Sequence, residues 1–222
     1  MTTNNDLIQF QIPTRRPKLP HPLGDIKQVQ QNLLAIYQKI VSNTNSAFLL
    51  DKETKENLRR VSHWIVNSQK RGLLLMGSLG NGKTTMLRAL KAFLDATGNW
   101  VGPICEACSI WEAERYTYLE DNYDENIVRS KNLIFHCNTD QILIIDDLGV
   151  ENETCKVFGE ERCPLEHVLL RRYSSDLTTI LSTNLSSMDM IEMRYGPRLA
   201  DRMYETYDRI VFTGDSYRRK KR

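Results

Sequence analysis

Residues 77 to 84 read Gly77-Ser78-Leu79-Gly80-Asn81-Gly82-Lys83-Thr84, a glycine-rich turn closed by an ammonium and a hydroxyl, with Thr85 directly behind. Glycines at 77, 80 and 82 let the backbone curl so that successive N–H groups face phosphate oxygens. Lys83 reaches the terminal phosphates, and the Thr84 hydroxyl ligates Mg²⁺. The spacing predicts a nucleoside triphosphate site built from Gly77, Ser78, Gly80, Asn81, Gly82, Lys83, Thr84 and Thr85. A second cluster is Asp146-Asp147, two carboxylates that close the apolar run Ile142-Leu143-Ile144-Ile145. A buried parallel strand emerging beside the loop would deliver Asp146 to the metal shell and Asp147 to the position that polarises water.

These groups need elements to hold them. Gly72 to Met76 is a short apolar run suited to a buried strand. Met86, Leu87, Leu90, Phe93 and Leu94 then keep helical spacing up to Gly98, where a helix should stop. Upstream, Ile26, Val29, Leu33, Ile36, Tyr37 and Ile40 define an amphipathic helix from Asp25 to Val41, whose apolar face suits either the domain surface or a partner groove. Asp51 begins a further helix that carries Leu58, Val61, Trp64 and Ile65 on one face. Downstream, a second strand is expected from Val101 to Ile110 and a polar, aromatic helix from Trp111 to Arg129. The acidic strand at 141 to 147 follows, then a helix opened by Pro164. A fourth strand from Leu177 to Ser182 ends in Thr183-Asn184, and a fifth spans Arg209 to Thr213. Apolar strands alternating with helices imply an α/β fold: a parallel five-stranded sheet flanked by helices, with the nucleotide at the carboxyl ends of the strands.

Composition bounds the remaining possibilities. With 41% hydrophobic residues over 222 positions the chain can build a real core, which excludes a disordered or fibrous protein. A net charge of +2, from 30 basic and 28 acidic residues, gives no global case for nucleic acid, so such binding must come from a local patch. Arg218-Arg219-Lys220-Lys221-Arg222 is one candidate, either a solvated tail or a phosphate contact. No run approaches the length of a membrane span, and the N-terminus lacks the order of a signal peptide, so a cytoplasmic protein without membrane contact is expected. Four of the seven prolines fall before residue 24, which reads as an extended arm without a core. The chain thus divides into an arm and helix at 1–45 and a nucleotide-binding domain at 46–222. Cys105-Glu106-Ala107-Cys108, with His136 and Cys137, raises the question of zinc. An extended segment at the first pair would lack the turn that a zinc knuckle needs.

The order of motifs resembles the AAA+ ATPases, and among them the DnaC/IstB group of bacterial helicase loaders and transposition ATPases. The resemblance runs over residues 50 to 218. It rests on GSLGNGKTT at 77 to 85, ILIIDDLG at 142 to 149, LSTNLS at 181 to 186, YGPRLADRM at 195 to 203 and SYRR at 216 to 219. It implies ATP with Mg²⁺, and a homo-oligomer with ATP at subunit interfaces. Asn184 would sense the γ-phosphate, Arg202 supported by Arg198 would project into a neighbour's site, and Arg218 would contact phosphate within its own subunit. On spacing alone, Arg198 and Arg202 form a helix surface that pairs with Asp201 and Glu205. The resemblance also implies a replicative helicase as partner, and little or no C-terminal lid domain.

Two departures matter. Many AAA+ proteins carry Glu where Asp147 stands, so slow hydrolysis is expected, and the segment before the ATPase core is shorter than a loader's helicase-binding domain. Single-stranded DNA is a further implied partner, through the insertion at 111 to 131. There Trp111, Tyr116, Tyr118 and Tyr123 could stack on bases or pack on the sheet. Six acids (Glu112, Glu114, Glu120, Asp121, Asp124, Glu125) outnumber three bases (Arg115, Arg129, Lys131) in that stretch, which disfavours phosphate. Three functions follow: a helicase loader or replication accessory ATPase, an IstB-like transposition ATPase, and a nucleotide-gated binding module with negligible hydrolysis.

Overall fold

Alternate residues of one short strand decide the layering. A computed structural model describes residues 18–19, 23–44, 48, 50–117, 125–157, 160–214 and 216–217. In it, Leu73 and Leu75 of β1 (Gly72–Gly77) enter one core, while Leu74 and Met76 enter another. A strand buried on both faces needs cover on both, and helices supply it. The sheet also contains β2 (Cys105–Glu106), β3 (Ile142–Leu148), β6 (Thr178–Thr183) and β7 (Tyr207–Phe212). All pairings are parallel, in the order β2-β3-β6-β1-β7. This is the expected five-stranded parallel sheet.

The first core is covered by α1 (Ile26–Ser42), α2 (Lys52–Asn67) and α3 (Lys83–Ala96). The second is covered by α4 (Ala107–Thr117), α5 (Glu125–Thr139), α6 (Pro164–Ser174), α7 (Met188–Tyr195) and α8 (Pro197–Thr206). A small antiparallel hairpin, β4 (Cys155–Val157) with β5 (Glu160–Arg162), lies outside the sheet and was not foreseen. Among the described residues no helix is long and apolar enough to cross a membrane.

The N-terminal helix uses its apolar face at home. Asp25 caps α1 by accepting from the Lys27 and Gln28 N–H groups, and Val29, Leu33 and Tyr37 are buried in the core shared with α2 and α3. Residues 1–17 lie outside the described residues, but the arm's end is packed, contrary to the coreless arm expected. Leu19 and Leu23 rest against the same core. Lys18 Nζ donates to the Ser68 carbonyl at 2.9 Å and to that of Trp64, with its ammonium 4.6 Å from the Trp64 ring centroid.

The second strand was misplaced. β2 holds two residues, and Ala107, Ile110 and Ala113 enter the core at the three-residue interval of α4. The helix expected from Trp111 to Arg129 is divided between α4 and α5, and Tyr118 and Tyr123 lie outside the described residues. Trp111 packs on the second core, while Tyr116 is exposed. Cys108 therefore sits on a helix rather than on the extended segment expected, and the Cys105 thiol donates to the Pro103 carbonyl at 3.6 Å. Among the described residues no three His, Cys, Asp or Glu side chains gather in a group that could hold a metal.

Candidate nucleotide-binding site

The glycine loop joins the end of β1 to the start of α3, a buried strand to a helix whose first N–H groups have no intrahelical partner. Gly80 (φ 81°) and Gly82 (φ 95°) adopt left-handed backbone, which side chains resist. A Cβ at Gly82 would also stand 2.8 Å from the Tyr37 hydroxyl. The buried Asn81 donates from Nδ2 to the Phe212 carbonyl at 2.7 Å and so ties the loop to β7. Lys83 is 5% exposed and folds back on the loop. Its Nζ donates to the carbonyls of Gly77 (2.7 Å) and Ser78 (2.8 Å), to Asn81 Oδ1 (3.2 Å) and to Asn184 Oδ1 (2.9 Å). Thr84 and Thr85 follow, half-buried, in the first turn of α3.

The carboxylates sit in a deliberate irregularity. Pairing of β3 with β6 slips between Ile145 and Leu148, and Asp147 takes a left-handed φ of 58°. Such a bulge re-aims side chains that a regular strand would send to alternate faces. Ser182 of β6 holds the pair, its hydroxyl donating to Asp146 Oδ1 and accepting the Asp147 N–H at 3.0 Å. Asn184 Nδ2 then donates to Asp147 Oδ1 at 3.4 Å. A polar line thus runs from Lys83 through Asn184 to Asp147. Burial pulls the Lys83 ammonium below the usual lysine range, and the Asp147 and Asp146 carboxylates oppose that shift.

A strap after β7 braces the loop from the other side. The Gly214 N–H donates to Glu53 Oε1, Thr213 Oγ1 donates to the same oxygen at 3.0 Å, and Tyr217 N–H donates to the Gly80 carbonyl at 3.0 Å. The Tyr217 hydroxyl donates to Asp51 Oδ2 at 3.0 Å and accepts from Thr54 Oγ1 at 3.0 Å. Burial, with Tyr217 and Asp51 nearby, pushes the Tyr37 hydroxyl above the ordinary tyrosine range. Sequence reasoning gave no role at the site to Tyr37, read only as part of an apolar helix face, or to Asp51, Thr54, Ser182 and Tyr217. Ser182 and Tyr217 stood inside the quoted segments, and Asp51 was read only as a helix start.

The remaining candidates lie apart. Arg198 is exposed on α8. Arg202 is held there at 3.7 Å from Asp201 Oδ2 and 3.6 Å from Glu205 Oε2, with its guanidinium 5.1 Å from the Tyr173 ring centroid. Among the described residues neither hydrogen-bonds to the loop, and Arg218 lies outside the described residues. One further tie was missed. The buried Glu151 accepts the Gly149 N–H at 2.9 Å through Oε2 and the Tyr195 hydroxyl through Oε1, and Arg194 donates to its carbonyl. The turn after β3 is thereby fastened to the end of α7.

A parallel sheet in this order, with a glycine loop after β1 and bulged carboxylates closing β3, is an α/β fold of the P-loop type. Solved structures share it. The DnaC helicase loader matches at 20% identity and a TM-score of 0.54, over 75% of this chain and 93% of that one. DnaI matches at 19% identity and 0.57, over 81% and 94%. AMPPCP-bound DnaA from Aquifex aeolicus matches at 17% identity and 0.57, over 78% of this chain and 50% of its own. At these identities the likeness is one of fold. No family profile and no curated protein sequence matches the chain.

Proposed function

We propose that this chain binds and hydrolyses ATP in a homo-oligomer and serves as a loader of the replicative DNA helicase, with single-stranded DNA as a second partner. The observation that carries the reading is the line from Lys83 through Asn184 to Asp147, which joins the glycine loop to the bulged carboxylates. The residues fit a triphosphate and its metal. The cradle lacks Cβ atoms at Gly80 and Gly82, and Thr84 with the buried Asp146 offers the hard oxygen ligands that Mg²⁺ takes. When bound, Mg²⁺ neutralises charge on the β- and γ-phosphates.

The chain's own groups do the rest. Lys83 leaves the loop carbonyls for the terminal phosphates, whose oxygens also meet the positive end of α3. Asp147 accepts a hydrogen bond from the attacking water, and Asn184 orients it. Arg202 of one subunit stabilises the charge on the phosphoryl transferred in its neighbour, an effect worth about 10³ to 10⁵ in rate. Arg198 supports it, and Arg218 contacts phosphate within its own subunit. Because Arg202 rests on Asp201, Glu205 and Tyr173 of its own chain, turnover depends on assembly.

In calorimetry, Lys83→Ala abolishes nucleotide binding. Arg202→Ala binds ATP like the parent but loses its turnover, and retained turnover would remove the trans role. The DnaC neighbour is described as a helicase loader, and capture of a hexameric helicase in a pull-down tests that role here. Duplex DNA binding together with a transposase would move the function to transposition. The shorter Asp147 side chain favours one second reading, a nucleotide-gated binding module, which bound ATP with background turnover under all conditions would establish.

A further inference from the structure

Five cations that the nucleotide site leaves unused, with one histidine beside them, share one face. Helix α2 turns Lys52, Lys55, Arg59, Arg60 and His63 to solvent, and the edge strand β7 adds Arg209 beside them. Between the two elements lies a cleft of 410 Å³, lined by Arg59, Arg60, His63, Asp208 and Arg209, with Trp64 beneath. Four acids share this surface. Asp51 accepts from the Thr54 N–H and the Tyr217 hydroxyl, Glu53 accepts from Thr213 and Gly214, Glu56 is shared between Arg59 and Arg60 at 2.8 Å each, and Asp208 acts on the Lys18 ammonium at a distance. Lys52, Lys55 and Arg209 have no acidic partner among the described residues.

We propose that the α2–β7 face is a track for the sugar-phosphate backbone of single-stranded nucleic acid. Lys52, Lys55 and Arg59 follow one another at three and four residues, about 4.5 to 6 Å apart along the axis, with Arg60 beside Arg59, so they form a row rather than a point site. Such a row follows a polyanion. Arg209 lies 4.9 Å from the ring centroid of Tyr204, which is 44% exposed and offers a stacking surface for a base at the cleft's end. The cleft lacks what an acidic protein partner would want. Its apolar floor is closed, with Trp64 only 1% and Ile210 only 3% exposed, whereas protein interfaces gather around accessible apolar anchors. The segment from 112 to 125, by contrast, is rich in acids.

The track runs from the nucleotide end towards the opposite end of the sheet. Lys52 is the neighbour of Glu53, to which the strap beside the glycine loop is tied, whereas Asp208 and Arg209 pair with Leu73 and Leu74 at the entry of β1. This inference rests on the loader reading for its biological sense, but its charge pattern is separate from the nucleotide site.

The test is fluorescence anisotropy of a labelled twenty-nucleotide oligo-dT against the full chain across a salt series, with a fluorescent ATP analogue measured in parallel. Arg60→Glu combined with Arg209→Glu weakens oligonucleotide binding tenfold or more. The gentler pair Arg60→Gln and Arg209→Gln lowers the slope of log affinity against log salt by about 1.4, two single-strand phosphate contacts. Analogue binding stays at the parent level in both. Unchanged oligonucleotide affinity and slope overturn the track, as does a parent chain that binds the analogue but no oligonucleotide. Capture of a polyglutamate peptide through the same arginines, with the oligonucleotide ignored, overturns it in favour of an acidic protein partner. Arginine-dependent oligonucleotide binding without analogue binding supports the track and removes the nucleotide reading instead.

Discussion

Asp147 combines the chemical role proposed for it with a backbone demand, and the two can be separated. Its φ of 58° suits asparagine almost as well as aspartate, while alanine there adds about 1 to 2 kcal/mol of strain. Asp147→Asn therefore keeps folding stability within about 0.5 kcal/mol but lowers turnover by about 10² to 10⁴. Urea unfolding and phosphate release measure the two sides, and a joint loss would make Asp147 a structural residue. Lys83 and Asp146 stood out in the sequence as candidates because phosphate and metal chemistry favours those residue types at set places in a motif, and Asn184 entered through the family resemblance. Ser182 did neither, since its role exists only because β6 lies beside β3.

At the scale of elements, the strap shows how a terminus can tune a loop that it does not belong to. Removing the Tyr217 hydroxyl costs its bonds to Asp51 and Thr54, about 1 to 2 kcal/mol of stability in total. If the strap also sets the position of Gly80, Tyr217→Phe weakens nucleotide binding by up to about tenfold, the equivalent of one hydrogen bond. Calorimetry with ADP checks this, and unchanged affinity would reduce the strap to a brace. β1, β3 and β6 were legible because apolar runs ending in motif residues have few other readings, and β7 was legible from the short run Ile210-Val211-Phe212. β2 was not. Ile104 to Ile110 alternates well enough to read as a strand, yet Ala107, Ile110 and Ala113 repeat at a helical interval, and packing on the second core chose the helix.

At the scale of the whole molecule, a buried cation on α6 ties neighbouring elements together. Arg172 is 0% exposed and donates to the carbonyls of Cys137 (2.7 Å), Asp140 (3.0 Å) and Thr178 (2.6 Å) and to Thr179 Oγ1 (2.8 Å). It joins the end of α5 to the start of β6, and burial lowers its pKa to about 10. Arg172→Ala strands those acceptors and costs about 3 to 5 kcal/mol, measurable as a fall in the urea midpoint. A cost below about 1 kcal/mol, within the range of ordinary surface changes, would deny it that role. Nothing in the sequence marked it, because an arginine late in a helix reads as a favourable but dispensable charge.

The fastening of Glu151 to Tyr195 and Arg194 reaches furthest. It couples the turn behind the acidic pair to the stalk that leads, through Gly196, into the helix of Arg198 and Arg202. In the oligomer proposed above, that tie would make one subunit's acidic pair and the arginines it offers to a neighbour parts of a single mechanical unit rather than two independent sites.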